Sequence, residues 1–84
     1  MNSLDTAYQN SSATPRYVMV TAVQTSSYTL TGYTDSNASP TTPVNARDKA
    51  ANKQTYVVMI VLPNNYYKVS AGGGGTVNHW VEWN

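Results

Sequence analysis

No cysteine and no phenylalanine occur among the 84 residues, histidine and glutamate occur once each, leucine three times, and charged residues make up only 11% of the chain. Without cysteine, a small core gains no disulfide and no thiolate site can hold a metal. His79 stands alone, with no second histidine for a zinc site and no cysteine for a Cys-His pair. Five basic residues against four acidic ones supply too little positive charge for binding driven by counterion release, which argues against nucleic acid as a partner. The longest apolar run, YVVMIVL at 56–62, has seven residues where a spanning helix needs about 20, so no membrane insertion is expected. The opening MNSLDTAYQN has neither the basic nor the apolar region of a secretion signal, and the chain reads as soluble and unprocessed. Nothing in this inventory implies a cofactor.

What is abundant points to strands. Thr, Ser, Asn, Val and Tyr dominate, which suits half-buried sheets, while scarce Leu and Glu remove the best helix formers. LDTAYQN at 4–10 reads as a short first strand, RYVMVTAVQ at 16–24 as a clear one, and YTLTGY at 28–33 as a third. Gly32 in the third marks a bulge or a close backbone approach. The polar, proline-punctuated stretch 34–43 reads as a loop, and 44–47 as a short strand or irregular segment before an exposed connection. TYVVMIVLP at 55–63 is the strongest strand signal. Asn64 and Asn65 form a tight turn, YYKVSA at 66–71 returns, Gly72 to Gly75 make a flexible tip, and TVNHWVEW closes the fold. Strands with turns about every ten residues predict one domain over 1–84, a small antiparallel β-sandwich or jelly-roll-like fold.

The strongest strands are apolar on both faces. Val18, Val20 and Ala22 alternate with Tyr17, Met19 and Val23, and Tyr56, Val58, Ile60 and Leu62 alternate with Val57, Met59 and Val61. One sandwich has one core, so a second apolar face needs a cover: a loop, the N-terminal arm or sister subunits. A domain of this size buries only roughly 60% of its unfolded surface, which favours help from partner chains. Val57, Met59, Val61, Tyr17, Met19 and Trp80 are the expected subunit-facing set. Near the chain end, Val77, His79, Val81 and Trp83 are expected on one face and Trp80 on the other, with Trp80 the more buried indole.

Chemistry is harder to find. A Ser-His-Asp set could be drawn from a serine, His79 and Asp35 or Asp48, but no G-x-S-x-G nucleophile turn accompanies it. Asp5, Asp35 and Asp48 mostly lie in flexible segments and Glu82 is wedged between Val81 and Trp83, a poor basis for paired carboxylates. GGGG at 72–75 lacks the Lys-Ser/Thr and helix of a phosphate loop. The chain is therefore not expected to be an enzyme. Aromatic and amide side chains instead suit sugars, with Tyr28, Tyr33, Asp35 and Asn37 as one candidate patch and Tyr66, Tyr67 and Trp83 as another.

The order of short motifs is also informative: AYQN at 7–10, RYVMVTA at 16–22, a strand over 57–63 ending in proline, YYKV at 66–69, the glycines at 72–75 and WVEW at 80–83. In this order the chain resembles the C-terminal tip domain of bacteriophage tail fibre and tailspike proteins, over nearly its whole length. Asn64-Asn65 stands where that family usually has a Pro-Gly or Pro-Pro-Gly. The resemblance implies a homotrimeric β-structured tip that ends a fibre, keeps three chains in register and touches the host surface. The remainder of the tail fibre and a bacterial surface polysaccharide would be its partners, and the virion its location after synthesis in the host cytoplasm. Such domains normally follow a long fibre, so the chain is expected either to be cut from one or to be translated separately from an internal methionine. Two alternatives stay open: a trimerisation or chaperone domain without a ligand, and a carbohydrate-binding module of a secreted enzyme.

Overall fold

The computed structural model describes residues 2–72 and 74–84. Seven strands carry the chain: β1 (Tyr8–Gln9), β2 (Arg16–Val23), β3 (Tyr28–Asp35), β4 (Pro43–Lys49), β5 (Thr55–Val61), β6 (Tyr66–Ser70) and β7 (Thr76–Trp83). No described residue is helical. The strands form a four-stranded sheet in the order β1-β6-β3-β4 and a three-stranded sheet in the order β5-β2-β7, with every pair antiparallel. Only β3 and β4 are consecutive within one sheet. Every other connection crosses between sheets, so the Asn64-Asn65 turn is a corner from β5 to β6 and not a hairpin. Asn64 takes φ +69°, and the Asn65 N–H donates to Leu62 O at 3.1 Å.

Alternation along each strand fills one core between the sheets. Val18, Val20, Ala22, Val57, Met59 and Val61 enter it from the three-stranded sheet, and Tyr28, Leu30, Tyr67, Val69 and Ala71 from the other. Gly32 meets the first of the two expectations placed on it, a bulge, and packs against the Met59 side chain in place of a close backbone approach. The β3–β4 register shifts between Gly32 and Tyr33, and a Cβ at position 32 would sit 3.4 Å from the Met59 sulfur. At Gly75, φ is +123° and a Cβ would meet Val23 O at 3.0 Å, so glycine is required there by conformation and by space. The expected tip also includes Gly73, which lies outside the described residues.

Three boundaries differ from expectation. β1 has only two residues because Asp5 turns the chain with φ +59° and donates its N–H to Val69 O at 2.8 Å, interrupting the extended run. β3 continues to Asp35, and β4 reaches Lys49 although it lacks an apolar stripe, because β3 offers it a ladder partner along its length. The AYQN stretch owes its order to Asn10, the one buried polar residue of the described chain. Its Nδ2 donates to Val61 O at 2.9 Å and Thr14 O at 3.0 Å, and its Oδ1 accepts from the Ser12 hydroxyl at 2.6 Å. A buried amide satisfied in this way fastens the 11–15 loop to β5.

Candidate functional site

Residues directly opposite in a sheet share a face, so the β2 pairings define the outer surface of the three-stranded sheet. Its rows are Ile60–Tyr17–Trp83, Val58–Met19–Val81 and Tyr56–Thr21–His79. Tyr17 is 50% exposed, Ile60 54%, Val58 42% and Trp83 52%, with Leu62 extending the patch at 56%. At one rim the Arg47 guanidinium lies 4.4 Å from the Tyr56 ring centroid, reaching from β4 around the edge of β5. At the same end His79 Nδ1 is 3.2 Å from the Thr21 hydroxyl. Tyr17, Tyr56, Val58, Ile60, Leu62 and Trp83 thus leave an apolar surface that the rest of the chain does not cover, with Arg47, Thr21 and His79 at its rim.

The expected subunit-facing set needs correction here. Tyr17 and Met19 do lie on this outer surface. Val57, Met59 and Val61 are in the core, because β5 pairs Met59 with Val18 and Val57 with Val20; the free face of β5 carries Val58 and Ile60 instead. Trp80 also turns inward and packs partly buried against the core, where it forms a T-shaped pair with Tyr8 at a centroid distance of 5.8 Å. It is the more sheltered of the two indoles, as its position predicted. Val77 does not share a face with Val81 and Trp83. A register shift opposite Thr21 and Ala22 places a bulge at Asn78, so Val77 packs inward while His79, Val81 and Trp83 point out. The bulge leaves Asn78 Oδ1 buried with no hydrogen-bond partner among the described residues.

Glu82 occupies the inner side of β7 beside Trp80. Its Oε2 accepts from the Tyr67 hydroxyl at 2.7 Å, Trp80 Nε1 at 2.8 Å and Asn2 Nδ2 at 3.2 Å, and its Oε1 lies 3.7 Å from Arg16 Nη1. The Tyr67 pKa is pushed up to about 12, first by burial and then by the Glu82 carboxylate that its proton bridges. One carboxylate thus joins the N-terminal arm, β2, β6 and β7, which explains why the closing W-x-E-W pattern can tolerate a charge.

The outer surface of the four-stranded sheet is polar. Its rows include Thr29–Asp48, Ala46–Thr31–Ser70, Tyr33–Lys68 and Asp35–Tyr66, and Lys68 Nζ stands 5.1 Å from the Tyr33 ring centroid. Of the residues expected to contact sugar, Tyr28 and Tyr67 are withdrawn into the core. The Tyr28 hydroxyl donates within the domain, 2.6 Å from Lys53 O, and its pKa is raised by that burial. The Asp35 carboxylate is occupied by its own loop. It accepts from the backbone N–H groups of Asn37 at 2.8 Å, Thr41 at 2.9 Å and Thr42 at 3.0 Å, and these bonds hold its pKa below the usual carboxylate value. Trp83 belongs to the opposite sheet. The two expected patches therefore reduce to one surface of Tyr33 and Tyr66, joined by Lys68, with Asn37 in the loop that follows Asp35.

Lys68, Val58 and Ile60 were missing from the expected sites. The signal for each was alternation: Lys68 lies between outward Tyr66 and Ser70, and Val58 and Ile60 lie between core residues. For a nucleophilic triad the parts are dispersed, since His79 faces Thr21, Asp35 caps its loop and Asp48 accepts from the Thr29 hydroxyl at 2.5 Å. Among the described residues, no three His, Cys, Asp or Glu side chains cluster as metal ligands would. No protein-family model, curated protein or solved structure matches the chain.

Proposed function

We propose that the chain is an assembly and adhesion module, the homotrimeric terminal domain of a bacteriophage tail fibre or tailspike. Its apolar sheet face is covered by sister copies, and its polar face is turned toward the bacterial surface. The single observation that carries this reading is the exposed face of Tyr17, Val58, Ile60 and Trp83. With six large apolar side chains, Leu62 and Tyr56 included, each 42–56% exposed, this face offers on the order of 600 Å², against the roughly 800 Å² per partner of a standard interface. Monomeric proteins seldom leave so large an apolar patch wet.

The order of motifs supports the same reading from another side. Asn10, Tyr67, Trp80 and Glu82, which lie in three of those motifs, all have structural duties in the fold. They behave as the signature of an architecture, leaving the outer surfaces free to vary with the receptor. Binding energy is the mechanism: three weak sites on one rigid tip gain affinity through effective concentration.

Sedimentation equilibrium at micromolar concentration tests the proposal, with a trimer expected and a stable monomer sinking it. A carbohydrate-binding module of a secreted enzyme predicts that monomer. A trimer whose surface variants all leave phage adsorption unchanged would instead favour the chaperone reading, an assembly domain with no ligand.

A further inference from the structure

The polar face holds a cation with no carboxylate partner. Among the described residues the only ion pair is Arg16 with Glu82, and Lys68 rests its ammonium over the Tyr33 ring at 5.1 Å from the centroid. That contact holds the lysine in place and leaves N–H donors directed to solvent, since an ammonium has three and a ring face engages only part of them. Thr31 and Ser70 form the next row along the same face. Ser70 Oγ accepts from the Gly72 N–H at 3.3 Å, which leaves its own O–H free to donate. On the other side of Lys68, the half-buried Tyr66 ring projects from the same face about 7 Å away, the spacing of alternate residues in a strand.

Two carboxylates flank these donors, one on each side. Asp35 lies in the Tyr66 row, with its carboxylate oxygens already accepting three backbone N–H groups. Asp48 lies opposite Thr29. The donors of Lys68, Thr31 and Ser70 thus occupy the middle, with an aromatic ring beside them. We infer that Lys68, Thr31, Ser70 and Tyr66 form a shallow site for an anionic saccharide. The sugar's carboxylate or phosphate lies against the ammonium and the two hydroxyls, and the C–H face of its ring lies on Tyr66. The inference rests on the adhesive reading above and names the ligand class for it. It also accounts for the polar residues opposite the assembly face: covering the three-stranded sheet leaves this one in solvent.

The test is an amide-resolved NMR titration of the full chain with three probes: trigalacturonate, its carboxyl-reduced neutral counterpart and galactose 1-phosphate. Trigalacturonate is expected to shift the Thr31, Tyr66, Lys68 and Ser70 resonances, with the neutral sugar binding at least about tenfold more weakly. Lys68→Gln should lose binding by at least about tenfold while Lys68→Arg keeps it, as a charge-assisted contact requires. A response to galactose 1-phosphate alone assigns the site to phosphorylated saccharides. Equal response to the neutral sugar, unchanged binding in Lys68→Gln, or silence with all three probes overturns the site. The mass of the same samples keeps the two ideas apart: a trimer that binds nothing removes only the saccharide site, and a monomer that binds removes only the assembly reading.

Discussion

The two sheets turn different surfaces outward although their inner surfaces are alike. Inside, the three-stranded sheet offers Val, Ala and Met and the four-stranded sheet Tyr, Leu, Val and Ala to one core. Outside, the four-stranded sheet shows Thr29, Thr31, Ser70, Lys68 and Asp48, the alternation expected of a sheet with one wet face. The three-stranded sheet shows Tyr17, Met19, Val58, Ile60 and Trp83 on the same kind of strand. The core uses only the inner residues, so the outer apolar set is the feature on which the assembly proposal rests. That asymmetry is the main functional signal in the chain.

The largest expected effect comes from adding charge to one outer face and then to the other. If the proposed trimer forms, Val58→Glu with Ile60→Glu should convert it to monomer in sedimentation experiments, with association weakened by more than about a hundredfold, since two carboxylates would be desolvated on assembly. Thr29→Glu with Thr31→Glu on the polar face should leave the mass unchanged. If both pairs behave alike, the contrast between the faces has no functional meaning.

Next comes the contrast within one strand, which is best measured in the monomeric background. Met59→Ala removes a side chain that is 4% exposed and should cost about 2–4 kcal/mol in urea denaturation, whereas Val58→Ala should cost under about 1 kcal/mol. The indoles sharpen the same point. Trp80→Ala removes core contacts and a hydrogen bond to Glu82 and should cost about 3 kcal/mol, more than Trp83→Ala in that background. A larger loss for Trp83→Ala would reverse the assignment of inner and outer sides of β7.

The smallest effects are in pH. The Tyr67 proton is held more tightly folded than unfolded, so its stabilisation is complete below pH 10 and lost as pH rises from 10 toward about 12. Tyr67→Phe should remove that part of the alkaline loss in urea titrations. Asp35 has the opposite sign. Its folded pKa lies below the value of about 3.8 taken for the unfolded group, so its contribution is present above that pH and fades as acid protonates the carboxylate. Asp35→Asn should flatten the acid limb and leave the alkaline one unchanged.

Much of the fold could be read locally. Gly32 signalled its bulge, the paired asparagines their turn, and the alternation of β2 and β5 their two apolar faces. The site was less legible. Tyr28 and Tyr33 are equally tyrosine in sequence, yet one caps the core and the other supports Lys68, because they differ by an odd number of positions along β3. The β5 residues were assigned to the wrong face for a related reason: alternation separates two sets of side chains without saying which set looks inward. At Asn78 the alternation itself fails, since a bulge has no marker in a run such as TVNHWVEW.

The sequence by itself determined the class of fold, a small all-β domain without disulfides and with more apolar strand surface than one core can use, because composition and period-two alternation are local properties. Tertiary structure alone decided that Val58 and Ile60 face solvent while Val57 and Met59 do not, that Asn78 shifts the end of β7, and that Lys68 stands over Tyr33. Each of these depends on the register between strands distant in sequence. Register follows from how a whole sheet fits its core, and a shift of one residue exchanges the faces of every side chain on the strand.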